Sequence, residues 1–322
     1  MVTIRLPEES TLARDLVLTS LLSFNVDFEI SGDEVKIENV EEFKDKLKDA
    51  VEYLRNDKDL SRIIKGFSRN YKKAVDLLVN ERDVVSAFFS KDENEEYYLP
   101  LVFPEFMEAE RWFGGWNGSS KNKKSFSISP QSLLLSVISM VLHRIVSYYR
   151  DNEYYMYIAP VDRIVMSQAC KPINKRSIKV SANSLKDLSQ IGKLFLFSME
   201  LRDNECQKIV LLKSSSHRVE ILEEFSYSIL KPFLDFWNFV KEDFEKQFIE
   251  LLNKDPDAFN RVSNYVLEGI NGVLSPSEAS VMIARETYLK SEDLSMITPY
   301  VIKKIREALE KLSIKEVFLS EY

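Results

Sequence analysis

The spacing of apolar residues changes near residue 223, and this change most constrains how the chain can fold. Before it, runs that alternate apolar and polar residues, as strands do, are mixed with runs at helical spacing. After it, only helical spacing occurs, with breaks near Asp255-Pro256, Gly272 to Pro276 and Thr298-Pro299. The sequence therefore predicts an α+β protein. A mixed α/β, nucleic-acid-handling domain covers 1–222, and a bundle of roughly four helices covers 223–322.

The predicted elements of the first region follow from the same patterns. We expect strands over 3–6, 154–158, 177–180, 208–212 and 219–222, and a hairpin that turns at Ser31-Gly32-Asp33. We expect helices after Pro7, over 40–54, over 58–80, from Pro130 to about Arg150, and over 185–201. Residues 97–122, which hold two prolines and three of the eight glycines, predict a long ordered loop pinned by aromatic side chains.

The composition excludes several classes of protein. Hydrophobic residues make up 45% of the chain and charged residues 30%, which is typical of a folded globular protein. Charged residues interrupt the first 22 positions, so no signal peptide is expected. The longest apolar run, Leu133 to Tyr149, contains serines, a histidine and an arginine, which indicates a buried helix and not a membrane span. We expect a cytoplasmic protein without membrane contact.

Metal ligands and cofactor motifs are scarce. The chain has two cysteines, Cys170 and Cys206, and two histidines, His143 and His217, at spacings that match no zinc site. We therefore expect no metal and no cofactor, and two free thiols in a reducing cytoplasm.

Catalytic motifs are also missing from the sequence. Neither GxGxxG nor GxSxG occurs, and Gly114 to Lys121 lacks the GK[ST] ending of a P-loop. Ser139 and His143 lie one helical turn apart, but they belong to a stripe of small polar residues that favours close helix packing. We expect no catalytic residues and no enzyme activity of the chain on its own.

The helix predicted over 58–80 carries a one-sided row of cations, which we call the cationic ridge. Its members recur at steps of four, three, four and three residues, with one further lysine beside the last: Lys58, Arg62, Lys65, Arg69, Lys72 and Lys73. At about 1.5 Å per residue the ridge is about 20 Å long, enough to follow several phosphates of a nucleic acid. An ordinary solvated face, a protein partner or an anionic membrane surface are the alternatives, although a solvated face usually mixes charges of both signs.

A second basic region lies within an acidic chain whose net charge is −7. Residues 111–180 hold eleven Lys and Arg against three Asp and Glu, whereas residues 219–322 hold twelve against nineteen. The candidate nucleic-acid contacts of this region are Asn117, Lys121, Lys123 and Lys124 in one loop, which we call the lysine loop, and Lys171, Lys175, Arg176 and Lys179 in a second cluster. A mobile surface loop without a ligand is the alternative.

Aromatic residues recur at helical spacing in the second region: Phe233, Trp237, Val240, Phe244 and Phe248. Because acidic residues flank them, this stripe predicts a core seam and not a platform on which bases stack.

Several segments together resemble a known family. They are Tyr97 to Pro100 leading to Trp116-Asn117-Gly118, then Ser125 to Pro130, Tyr154 to Pro160, and Tyr265 to Gly272 in the helical region. In this order they resemble the large subunit of archaeal subtype I-A CRISPR interference complexes, which are of the Cascade type. The resemblance covers most of the chain, but it assigns no individual residue as a reader of DNA sequence.

The resemblance implies a non-catalytic subunit at one end of a guide-RNA assembly. Such a subunit inspects a short motif beside the DNA target and helps to hold the opened strands, while base pairing carries most of the specificity. Its implied partners are the CRISPR-associated backbone and small subunits, the guide RNA and the target DNA. Cleavage is left to separate helicase and nuclease subunits. The alternatives are a structural scaffold that binds proteins without nucleic acid, and an enzyme whose active site is assembled from distant residues.

Overall fold

The computed structural model of the protein describes residues 1–7, 11–58, 60, 83–90, 97–98, 127–151, 153–166, 170, 172, 182–202, 206–214, 219–240, 244–288 and 297–319. The chain forms two units, one of residues 1–175 and 205–224, the other of residues 176–204 and 225–322. The predicted α+β class is confirmed, because antiparallel sheets and helices share the first unit and helices make up the later part of the chain. The boundary expected at 222/223 is close to residue 224, after which the chain passes from the first unit to the second. No signal that we recognised in the sequence assigns residues 176–204 to the second unit.

The first unit begins with a three-stranded antiparallel sheet. Its strands are β1 (Val2–Arg5), β2 (Phe28–Ser31) and β3 (Glu34–Ile37), in the order β1-β3-β2. Gly32 lies in the turn between β2 and β3 at φ 60°, a conformation that favours glycine, as the predicted hairpin requires. Arg14 holds this turn in place by donating to the Gly32 carbonyl at 2.8 Å and pairing with Asp33 at 3.1 Å.

Four helices and six further strands complete the described part of the first unit. The helices are α1 (Leu12–Phe24), α2 (Val40–Asn56), α3 (Val84–Ser90) and α4 (Pro130–Leu142). Two short strands, β4 (Tyr97–Tyr98) and β5 (Ser127–Ile128), pair with each other antiparallel. The larger sheet has the order β6-β7-β8-β9, with β6 (Arg144–Arg150), β7 (Glu153–Ile158), β8 (Ile209–Ser214) and β9 (Val219–Phe225).

Helices α1 and α4 pack against each other through small polar side chains. Ser132, Ser136 and Ser139 of α4 are fully buried. The Ser20 hydroxyl of α1 donates to the Leu135 carbonyl of α4 at 2.7 Å. Because a serine adds little bulk and the hydroxyls of Ser20, Ser132 and Ser136 donate to backbone carbonyls, the two backbones can approach closely. The packing role predicted for the serine stripe is confirmed for its helical part.

The helix predicted from Pro130 to about Arg150 is wrong in its second half. It ends at Leu142, and residues 144–150 form β6, which pairs with β7 in an antiparallel hairpin. Ile145, Val146 and the tyrosines of this segment are β-branched or aromatic and favour a strand. Asp151 adopts φ 50° at the turn, a left-handed conformation that aspartate tolerates and that tight hairpins require.

The second unit is helical in its described residues. Its helices are α5 (Ala182–Lys186), α6 (Gln190–Glu200), α7 (Tyr227–Phe239), α8 (Glu245–Lys254), α9 (Pro256–Ile270), α10 (Pro276–Tyr288) and α11 (Pro299–Leu319). The breaks predicted at prolines 256, 276 and 299 are confirmed, since each of these residues begins a helix.

The predicted aromatic stripe is confirmed as a core seam: Phe233, Trp237, Val240, Phe244 and Phe248 are 0–5% exposed. It runs across the break between α7 and α8, which is why helical spacing alone concealed that break.

The expectation of two free thiols is wrong. Cys170 and Cys206, both buried, form a disulfide with 5.9 Å between their Cα atoms. They are 36 residues apart in sequence, and they meet because the chain leaves the first unit after Lys175 and returns to it at Glu205.

Over the described ranges, no helix has the length and apolar character needed to cross a membrane.

Candidate nucleic-acid interface

Among the residues predicted to contact nucleic acid, Lys58 is the one that lies within the described part of the chain. Its side chain is exposed, and it follows Asp57, the C-cap residue of α2. Leu60, two residues further on, packs against the hydrophobic core. Lys58 is thus exposed, whereas Leu60 is partly buried.

The remaining candidates lie outside the residues that the structure describes. They are Arg62, Lys65, Arg69, Lys72 and Lys73 of the ridge, Asn117, Lys121, Lys123 and Lys124 of the lysine loop, and Lys171, Lys175, Arg176 and Lys179 of the second cluster. Their contacts with nucleic acid stay predictions.

A buried ion pair anchors the end of α2 beside Lys58. The Arg144 guanidinium, at the start of β6, makes two contacts with the Asp57 carboxylate, at 2.6 and 3.3 Å. The two side chains are 11% and 7% exposed, respectively. Arg144 also donates to the Tyr154 hydroxyl at 3.4 Å. This fork-shaped contact fixes the end of α2 relative to the larger sheet.

A cavity of about 260 Å³ opens next to this ion pair. Tyr53, Asn56, Asp57, Lys58 and Arg144 line it. The tyrosine is 46% exposed. Sequence reasoning missed this cavity because Arg144 is 86 positions from Lys58 and no motif links them.

A second aromatic feature lies on the larger sheet, where Tyr148 and Tyr155 stack with their ring centres 5.0 Å apart. The Tyr155 hydroxyl donates to Glu153, which also pairs with Lys213 at 2.9 Å. Burial raises the pKa of Tyr148, and so does the nearby charge of Glu223. Glu223 disfavours a phosphate beside Tyr148, whereas Lys213 balances the charge of Glu153.

The first unit also contains a buried charge cluster. Asp15 is fully buried and pairs with Arg163 and with Lys208, whose Nζ lies 2.9 Å from Oδ2. Lys208 reaches Glu224 as well, at 2.6 Å. Burial raises the pKa of Asp15, and its two cations offset part of that rise. Burial alone lowers the pKa of Lys208, but its two carboxylates outweigh burial and hold the pKa above its usual value.

This charge cluster joins α1 to the larger sheet. Its residues come from positions 15, 163, 208 and 224, and neither their spacing nor their types identified them in the sequence. We assign the cluster a structural role, because removing one partner of a buried ion pair leaves an uncompensated charge.

Ser139 and His143 do not form a nucleophile and base. The His143 ring lies between Ser23, whose hydroxyl is 2.6 Å from Nε2, and Gln207, whose amide nitrogen is 3.3 Å from Nδ1. The ring is 2% exposed. Ser139 is fully buried and its carbonyl accepts from the His143 backbone N–H. Both residues thus serve the packing of α1 and α4.

A comparison with known proteins identifies the family. No protein-family model matches the chain. A protein of the archaeon Saccharolobus solfataricus, provisionally named a CRISPR-associated protein, is 44% identical, and the alignment covers 98% of both chains. The chain belongs to this CRISPR-associated family. Because the match spans both units, it relates the whole architecture, and not one module, to a CRISPR-associated protein.

Proposed function

We propose that the protein is a non-catalytic subunit of a CRISPR RNA-guided DNA interference complex of the Cascade type, in the position of the large subunit. The observation that carries this proposal is the identity of 44% over nearly the full length to a CRISPR-associated protein. The order of sequence segments, which resembles the large subunit of subtype I-A complexes, supports the finer assignment.

The proposed contact with guide RNA or target DNA is made by the cationic ridge and the lysine loop. The sequence predicts one sign of charge along one face of the ridge, and its first residue, Lys58, is exposed beside the ion pair of Asp57 and Arg144. Such a row can neutralise successive phosphates without reading sequence, which fits a subunit that leaves sequence recognition to base pairing. Backbone and small subunits are the proposed protein partners, and cleavage belongs to separate helicase and nuclease subunits.

The test is charge reversal along the ridge. Replacing Lys58, Arg62, Lys65 and Arg69 with Glu, in the full-length chain assembled with its complex, should weaken retention of nucleic acid while folding is unchanged. Each lost phosphate contact should flatten the slope of log affinity against log salt concentration by roughly 0.7 to 0.9. A loss of affinity with an unchanged slope would instead indicate misfolding or a lost protein contact. Unchanged binding with an unchanged slope would remove the ridge from the proposal.

A further inference from the structure

The three-stranded sheet of the first unit has two different edges. Its order, β1-β3-β2, makes β1 and β2 the edge strands. Helix α4 meets the edge of β1, where the Ser132 hydroxyl donates to the Arg5 carbonyl. Within the described part of the chain, no strand pairs with the outer side of β2, which we call the β2 edge (residues 27–31). An edge strand of this kind can receive a further strand.

The register of the sheet shows which backbone groups lie on the β2 edge. Hydrogen-bonded pairs alternate along an antiparallel ladder. The Leu6 N–H donates to the Asp33 carbonyl at 2.7 Å, so Asp33 and every second residue after it bond toward β1. The residues between them bond toward β2, and one of these is paired with Glu29. The N–H and C=O groups of Phe28 and Ile30, on either side of Glu29, therefore point away from β3.

One face of β2 is apolar up to the edge. Phe28 and Ile30 lie opposite Ile37 and Val35, two fully buried residues of the core. Phe28 packs against this core, whereas Ile30 is 37% exposed. The apolar face of the sheet thus continues to its outer strand, where a further strand can cover it.

The other face of the hairpin is acidic. Asp27 precedes β2 and Glu29 lies within it, while Glu34 and Glu38 flank Lys36 on the neighbouring stretch of chain. All four carboxylate side chains are exposed. Because they outnumber the single lysine, this face favours a cation beside β2 and disfavours a phosphate. It also disfavours a second copy, since pairing two β2 strands would bring like charges together.

We propose that the β2 edge binds an extended segment of a partner protein in which apolar residues alternate with Lys or Arg. The backbone of the segment pairs with Phe28 and Ile30, its apolar side chains extend the core face, and its cations lie beside Glu29. The inference goes beyond the proposed function, because it concerns a protein partner and does not depend on contact with nucleic acid.

The test uses the full-length chain and a synthetic probe. The probe is a short, capped, fluorescent peptide that alternates valine and lysine, and its matched control replaces each lysine with glutamate. Fluorescence anisotropy should show binding of the lysine peptide and little binding of the glutamate peptide. Glu29→Lys should weaken binding of the lysine peptide about fivefold and strengthen binding of the glutamate peptide, because it reverses a cross-strand charge pair.

Two further variants separate backbone pairing from net charge. Ile30→Pro removes an outward N–H without removing a hydrogen bond to β3, and should abolish binding, since proline is tolerated on an edge strand but cannot donate. Ile30→Thr keeps that N–H and should retain part of the binding. Asp49→Lys, at an exposed position of α2, changes the net charge as Glu29→Lys does and should leave binding within about twofold.

Amide hydrogen exchange on the original protein needs no variant, so it does not depend on the folding of one. Saturation with the lysine peptide should slow exchange at Phe28 and Ile30 and change little at Glu29, whose N–H already bonds to β3. Equal binding of the two peptides, or protection that appears only outside β2, would overturn the inference. If the chain alone sediments as a dimer that Ile30→Pro dissociates, the β2 edge pairs with a second copy and the inference is wrong.

Discussion

Replacing Asp57 with Ala tests whether the ion pair with Arg144 anchors the candidate interface. The substitution leaves the Arg144 guanidinium, 11% exposed, without the carboxylate that it contacts at 2.6 and 3.3 Å. Breaking a buried ion pair from one side costs about 3–5 kcal/mol. Since Arg144 keeps its contact with the Tyr154 hydroxyl and borders a cavity that can admit water, we expect the lower end, about 3 kcal/mol. For a unit of this size that corresponds to a fall in Tm of about 6–12 °C.

Thermal and urea denaturation followed by circular dichroism measure this loss, with a double substitution as the decisive comparison. Asp57→Leu with Arg144→Met removes both charges and should recover most of the stability, because apolar side chains avoid the desolvation of the ions. Lys58→Ala, one residue away but exposed, should change the free energy of unfolding by no more than about 0.5 kcal/mol. The reasoning is refuted if Asp57→Ala costs less than about 1 kcal/mol, or if the double variant is no more stable than Asp57→Ala.

Two further predictions concern the buried charge cluster and the lysine loop. Lys208→Met removes a positive charge beside Asp15 and should therefore raise the pKa of Asp15 further above its usual value. Ionisation of Asp15 then costs more free energy in the folded state than in the unfolded state. The stability lost should therefore be small near about pH 4 and larger at about pH 7, and an equal loss at both values in urea titrations would contradict this. Replacing Lys121, Lys123 and Lys124 with Glu should flatten the salt slope of nucleic-acid binding by up to about 0.7 to 0.9 per contact. Normal binding by this variant, beside weakened binding by the ridge variant, would assign the phosphate contacts to the ridge alone.

Elements with a clear period and a clear end were predictable from the sequence. The hairpin around Gly32, helix α2 and the breaks at prolines 256, 276 and 299 each combine apolar spacing with a residue that fixes the backbone. The error at β6 arose because Leu133 to Tyr149 is mostly apolar, and a mostly apolar run does not reveal where a helix ends and a strand begins. The aspartate that turns the chain at position 151 was the available signal.

Contacts between distant parts of the chain were not predictable in this way. Asp57 and Arg144 are 87 positions apart, and Cys170 and Cys206 meet only because the chain leaves the first unit and returns. A single sequence contains no periodic signal for such pairs, since each depends on how separate elements pack. The ridge was visible because its six cations lie on one predicted helix, whereas the cavity beside it joins α2 to the larger sheet.

Purification of the complex from the native host, followed by sequencing of its bound nucleic acid, tests the central claim most directly. The protein should be isolated through a tag on its own chain, without nuclease treatment and at low salt, where phosphate contacts persist. The account predicts recovery of CRISPR-associated backbone subunits together with guide RNA, and loss of that RNA at high salt when the ridge is reversed. Recovery of protein partners free of nucleic acid, or of the chain alone, would contradict the proposed function and would favour a scaffold that binds proteins only.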